Sequence, residues 1–403
     1  MLLLVDHTRA ANAQQSTPAI PASSAPRAMV FRPGDPATRA GFGHFYSLEY
    51  DAAIADFEHA ISTHPDDPFA ANHLLSAVLF RELYRAGALD SDLYTGSGNR
   101  FLTSRQFPIE TQARQRIRNL MDRALRLSED RLKRNPDDVD ALYARGITRG
   151  MRATYIALVE KSWFSALRNA VGARRDHERV LELKPDYSDA KTIVGIHNYV
   201  LGSLSWAVKA AAAVAGLGGS KDKGIEYLYA ASEARGETSV DARVALTVFL
   251  RREQRYTEAL KLVQSLIQEH PRNFLFALEG ANLLNAWGRG GDAVASYRRV
   301  LADAQAGRFP EARVEQAYFG LGEALRKQHD FRSAAQAYDR VLESGRADPD
   351  LRQRASLAAG EMYDALSQRD LAIQRYHTVL QADASSTHAD LARRYLKNPY
   401  RSQ

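Results

Sequence analysis

No cysteine occurs in the 403 residues, so disulfide frameworks, cysteine-zinc sites, iron–sulfur clusters and thiol nucleophiles are excluded. Other catalytic signatures are missing as well. The eleven histidines form no H-E-x-x-H, no carboxylates stand at metal-ligand spacing, and no G-x-S-x-G elbow occurs. The Gly216-Leu217-Gly218-Gly219 run fails as a phosphate loop, because Ser220 and Lys221 follow where G-x4-G-K-[ST] is needed. Long apolar runs are also scarce. The stretch from Leu204 to Leu217 is interrupted by Lys209 and falls short of the roughly 20 residues that a membrane span requires. The sequence implies no cofactor, no metal and no enzyme.

Proline is sparse and unevenly placed, with five of 14 (Pro18, Pro21, Pro26, Pro33, Pro36) inside residues 1–39 among Ser, Ala and Thr. That composition reads as a disordered tail or linker. Ahead of it, Met1-Leu-Leu-Leu-Val5 and then Ala11-Asn12-Ala13-Gln14 form the end of a signal-peptide pattern without its basic start. The expectation is an exported, periplasmic bacterial protein whose true start lies upstream, with a cytoplasmic location as the alternative. Positive charge is regional: residues 100–180 hold 18 Lys and Arg against 10 Asp and Glu. Acids such as Asp122, Glu129 and Asp130 are interleaved with Arg116, Arg123 and Arg131, which favours solvated helix faces over a nucleic-acid surface.

What the chain has in quantity is helical periodicity with a fixed ruler: a small residue, a bulky one four later, and a small or branched one three after that. It reads Ala53-Phe57-Ala60, Ala259-Val263-Leu266, Ala293-Tyr297-Val300, Ala334-Tyr338-Val341 and Ala372-Tyr376-Val379. From Ala259 onward the steps are 34, 41 and 38 residues, and a small residue stands twelve before each start (Gly41, Thr247, Ala281, Gly322, Gly360). Tyr318, Leu321, Gly322 and Leu325 fall on one helical face, as expected of an element packed on one side and wet on the other.

This pattern resembles the tetratricopeptide repeat, in which pairs of antiparallel helices stack. The resemblance implies an all-α, right-handed superhelix of about eight helix pairs. Five regions follow: the tail 1–39; helix pairs over 40–200 with insertions near 85–112 and 151–171; an apolar insertion and helix pair over 201–238; regular repeats over 239–386; and a capping helix and tail over 387–403. The run Gly195-Ile-His-Asn-Tyr-Val-Leu-Gly-Ser-Leu-Ser-Trp206, with Gly216 to Leu228, is similar to the central segment of the eukaryotic inclusion-clearance family of outer-membrane and cytosolic repeat proteins and implies helical bacterial relatives without a catalytic residue.

A solenoid of this kind offers a concave groove lined by the first helix of each pair. The ruler places Asn72, Tyr143, Tyr199, Arg251, Asn282, Asn285, Glu323 and Arg326 there, with Thr192, Ile196, Phe319 and Glu361. Tyr and Arg are the residue types that anchor partners, and Asn bonds peptide backbone. The expected function is a non-catalytic scaffold for a protein or peptide. The alternative is an assembly factor on a membrane surface, with Trp206, Val208, Val214 and Leu217 as lipid or partner contacts; a more distant one is a helical enzyme using His197. Pro-Asp-Asp at Pro65 and Pro136 reads as helix capping.

Overall fold

The computed structural model describes residues 29–95, 107–204, 209 and 218–401. Among these the chain is helical and contains no strand. Eight antiparallel pairs follow one another: α1 (Pro36–Tyr46) with α2 (Tyr50–Thr63); α3 (Pro68–Arg85) and, beyond the short α4 (Asp92–Thr95), α5 (Thr111–Arg134); α6 (Val139–Tyr155) with α7 (Trp163–Leu183); α8 (Ala190–Gly202) with α9 (Lys221–Glu233); α10 (Ser239–Arg252) with α11 (Tyr256–Glu269); α12 (Phe274–Ala286) with α13 (Gly290–Gln305); α14 (Val314–Lys327) with α15 (Phe331–Glu343); and α16 (Pro349–Ala365) with α17 (Arg369–Ala382). A last helix, α18 (Thr387–Lys397), covers the end.

The ruler residues explain why these helices pack. Ala53, Phe57, Ala60, Ala293, Tyr297, Val300, Ala334, Tyr338, Val341, Ala372, Tyr376 and Val379 are all buried. The small position lets two backbones approach, and the bulky one fills the gap between a pair and the next. The tight first-to-second-helix turns share one device, a residue in the left-handed region: Leu48 (φ 63), Gln254 (φ 59), Gly288 (φ 81), His329 (φ 60) and Ser367 (φ 59). Helix starts are capped as read from the sequence. Asp67 accepts from the Phe69 amide at 2.8 Å and Asp138 from the Ala141 amide at 3.0 Å.

Two differences from the sequence reading are physical. Helix α1 begins at Pro36, inside the stretch read as a tail, and Phe31 stacks on Phe42 at 4.4 Å, so the chain joins the core before residue 40. The stretch 151–171 is less an insertion than lengthened helices: α6 runs into a π-helical turn over Ile156–Glu160, ended by Lys161 at φ 55, and α7 starts at Trp163. Residues 96–106 of the first insertion, and Trp206, Val208, Val214 and Leu217 of the third, lie outside the described residues. No helix among the described residues is long and apolar enough to cross a membrane.

The superhelix also meets itself. The end of α1 and helix α3 meet the starts of α10, α12 and α14: His73 Nε2 on α3 is 2.8 Å from Glu237, Asn273 Nδ2 donates to the Tyr46 carbonyl of α1 at 2.9 Å, and Arg313 donates to the Tyr84 carbonyl of α3 at 2.9 Å. Val240, Leu266 and Phe276 join the same apolar core as Phe42, Phe57 and Leu75. Repeats separated by some 200 residues of sequence are thereby locked together.

Candidate functional site: the concave face

Successive first helices, the ones expected to line the concave face, hand polar side chains to one another. Arg251 on α10 pairs with Glu279 on α12 at 3.2 Å; Lys327 on α14 donates to Asn285 on α12 at 3.0 Å; Arg326 on α14 pairs with Glu361 on α16 at 2.9 Å. The second helices buttress this row from behind, where the Tyr297 hydroxyl donates to Asn282 and that of Tyr338 to Glu323, each at 2.7 Å. Glu361 is buried, and loss of water together with nearby Glu323 raises its carboxyl to about 7 against the opposing pull of Arg326. The C-terminal segment reaches this cluster too: the Arg326 guanidinium lies 5.9 Å from the centre of the Tyr400 ring.

The sequence-predicted residues therefore divide. Arg251, Asn282, Asn285, Glu323 and Arg326 share the polar row, and Asn285, Glu323 and Arg326 remain half-buried rather than sealed. Asn72 is buried and used up in packing, donating to the Ala144 carbonyl at 2.9 Å and accepting from Thr148 at 2.7 Å. Tyr199 is buried, stacked on Phe249 at 3.8 Å, with its hydroxyl donating to Glu253 at 2.8 Å. Tyr143 is buried as well, but its hydroxyl has no hydrogen-bond partner.

Several participants escaped the sequence reading. Ser91 reaches into the row, with its hydroxyl donating to Glu279 and Arg251 donating to it at 3.3 Å. Glu279 sits one turn before Asn282 on α12, and that spacing was the available signal. Asp189 and Glu237 stand just before α8 and α10, where acids read simply as helix-start residues.

His197 is 9% exposed, and burial, with the Arg174 charge added, lowers its imidazole to about 4. Arg174 Nη1 lies 3.2 Å from His197 Nδ1; since guanidinium only donates, the proton resides on Nε2. A ring so reluctant to accept a proton is a poor general base near neutrality. The depression beside it, lined by Arg174, Glu178, Asn198 and Tyr227, is open. The basic stretch is largely neutralised in place: Arg116 pairs with Glu58, Arg118 with Glu160, Arg131 with Asp138, and Arg145 and Arg149 with Asp176.

The fold and the inner row define a helical-repeat solenoid of the tetratricopeptide type. No family profile and no curated protein matches the sequence. Solved structures similar to the chain include the APC/C hetero-tetramer Cut9–Hcn1 (14% identity, TM-score 0.49), where the match covers 90% of this chain but spans only 55% of the other. Yeast Tom70 is similar at 11% identity and TM-score 0.42, covering 90% of this chain and 87% of that one. Pseudomonas aeruginosa pilF is similar at 14% identity and TM-score 0.41, covering 64% and 96%.

Proposed function

We propose that this protein is a non-catalytic scaffold that binds a protein or peptide partner on its concave face. The observation that carries the reading is the row of polar side chains linking α10, α12, α14 and α16, in which Asn285, Glu323 and Arg326 keep contact with solvent. Such a row supplies donors and acceptors at the spacing of stacked helices, fixed by a packed second layer. It suits an extended chain better than a small molecule, for which an enclosed and mostly apolar pocket is usual. The test is cross-linking capture from host extract with the full chain, beside an Asn285→Ala, Lys327→Glu variant. These two residues bear little packing, so the melting temperature should hold while captured partners are lost. Identical capture by both proteins removes the concave face from the function. Export remains part of the proposal on the strength of Ala11-Asn12-Ala13-Gln14, and N-terminal sequencing of protein from the host periplasm tests it.

A further inference from the structure

Where α3, α6 and the starts of α8 and α10 converge, aromatic rings and carboxylates are gathered together. Phe69, Tyr143 and Tyr187 form a row, with Phe69 and Tyr143 stacked at 5.9 Å and Tyr143 and Tyr187 tilted by 41° at 4.9 Å. Asp140, Asp189 and Glu237 stand near Tyr187, and Asp189, Glu237 and Asp241 near Tyr143. Three cationic side chains stand against these four carboxylates. Arg32 pairs with Asp140, lies 5.8 Å from the centre of the Phe69 ring and is close enough to feel Glu237; His73 meets Glu237; and Lys184 Nζ lies 5.6 Å from the centre of the Tyr187 ring. Asp189 is occupied by Thr238, accepting from its amide and hydroxyl at 3.0 Å each.

The independent sign of a ligand is the Tyr143 hydroxyl. The residue is 2% exposed, the hydroxyl faces Asp189, Glu237 and Asp241, and it makes no hydrogen bond. A buried hydroxyl left unpaired is destabilising, a cost that packing tolerates and a donor would recover. Asp241 stays open to solvent, with the Tyr46 hydroxyl beside it. Crowding by the surrounding protein, then the Glu237 and Asp189 charges, push its carboxyl upward, while Tyr46 and contact with water oppose that rise. Burial raises Asp189 as well. The patch thus carries carboxylates that its own cations leave under-compensated.

We propose that this aromatic–acidic patch recognises an arginine side chain presented by a protein or peptide partner, and that Arg32 occupies its Asp140 side in cis until displaced. A guanidinium meets each demand of the patch: flat faces for the Phe69, Tyr143 and Tyr187 row, forked donors for the carboxylates, and an N–H for the Tyr143 oxygen. Lysine supplies the charge without the flat face. Arg32 is itself the precedent for this chemistry, and its side chain is 41% exposed. The proposal rests on the scaffold reading and specifies one residue of the partner.

The probe is a fluorescent peptide of residues 27–36 of this chain, in versions with arginine, lysine or citrulline at the position of Arg32, titrated against the full-length protein. A Phe31→Ala, Arg32→Ala variant, freed of its own occupant, should bind the arginine peptide at least tenfold more tightly than the wild type does. Adding Glu237→Gln or Tyr143→Phe should weaken that binding by tenfold, with the lysine and citrulline peptides weaker throughout. Equal affinity for wild type and the emptied variant, or indifference to Glu237→Gln and Tyr143→Phe, overturns the proposal. Thermal melting of Tyr143→Phe alone is a second readout: an unpaired hydroxyl predicts unchanged or higher stability, and a clear loss shows that the hydroxyl is structural and refutes the site. If the peptide fails while Asn285→Ala, Lys327→Glu still abolishes partner capture, the scaffold reading stands without this site.

Discussion

A β-carbon built on Gly322 of α14 would stand 2.6 Å from Cε1 of Tyr338 on α15, closer than carbon atoms approach without displacement. Tyr338 is fully buried, and its hydroxyl donates to Glu323, the residue after Gly322. The absence of a side chain at one position therefore sets where the aromatic ring of the next helix lies. Alanine at 322 would gain about 1 kcal/mol of helix propensity, but forcing the ring aside costs about 1–3 kcal/mol. Gly322→Ala should lower stability in urea unfolding, and Gly322→Ala with Tyr338→Leu should show a favourable coupling of the same size. Additive effects of the two substitutions would mean that the ring has room to move.

His177 on α7 occupies the corresponding place against Gly146 on α6. Its Nδ1–H donates to the Ala173 carbonyl at 2.8 Å, leaving Nε2 buried without a partner. Burial lowers the imidazole to about 4. The unfolded ring protonates near 6.5 and the folded ring does not, so stability is lost as pH falls from about 6.5 to 4, by about 2–3 kcal/mol. Phe57 fills the equivalent space against Gly41, which makes His177→Phe the conservative variant. Near neutrality it should match the wild type, and at pH 4.5 it should be the more stable protein. Parallel pH profiles for the two would remove His177 as the cause.

Glu361 should work in the opposite direction. Its folded carboxyl sits at about 7 because it is buried beside Glu323, above the ordinary glutamate value. The folded state therefore retains a proton that the unfolded chain gives up, and stability is lost as pH rises from about 4.5 through 7, on the order of 2 kcal/mol. Comparing wild type and Glu361→Gln by denaturant midpoint at pH 5 and pH 8 should show the variant gaining relative stability at the higher pH. A constant difference would place the Arg326–Glu361 pair in ordinary, well-solvated balance.

The ruler was legible because each repeat packs on its neighbours through a local rule: Ala334, Tyr338 and Val341 need only the adjoining helices to be buried. The closure of α1 and α3 on α10, α12 and α14 has no such local signature. Asn273 and Tyr46 are 227 residues apart, and neither position departs from what a helix start or end requires on its own. Acids carry the same ambiguity: Asp138 caps its helix and pairs with Arg131 seven residues earlier, both local contacts, whereas Glu237, in a similar turn, faces His73 and the Tyr143 hydroxyl. Charge and position in the repeat look alike in both. Only the return of the superhelix on itself separates them.

That return depends on Arg313, which is the basis of the last prediction. Arg313 is 8% exposed, pairs through Nε with the fully buried Glu315 at 2.8 Å, and donates through Nη1 to the Tyr84 carbonyl at 2.9 Å and the Arg85 carbonyl at 3.3 Å. Tyr84 answers by donating its hydroxyl to the Glu311 carbonyl. Glu315 has one oxygen with no partner even in the intact protein, so its charge depends on this one guanidinium. Removing a single member of a buried ion pair costs about 3–5 kcal/mol, while replacing both by apolar groups is often neutral. Arg313→Met should therefore be strongly destabilising, and Arg313→Met with Glu315→Leu should recover most of the loss to the ion pair. The carbonyls of Tyr84 and Arg85 remain deprived in both variants, so amide exchange at the end of α3 should be faster than in wild type even where global stability returns. If the double variant is no more stable than the single one, the cost lies in the α3 contact and not in the uncompensated charge. If neither substitution affects stability or exchange, α3 is held against α14 by its apolar contacts alone.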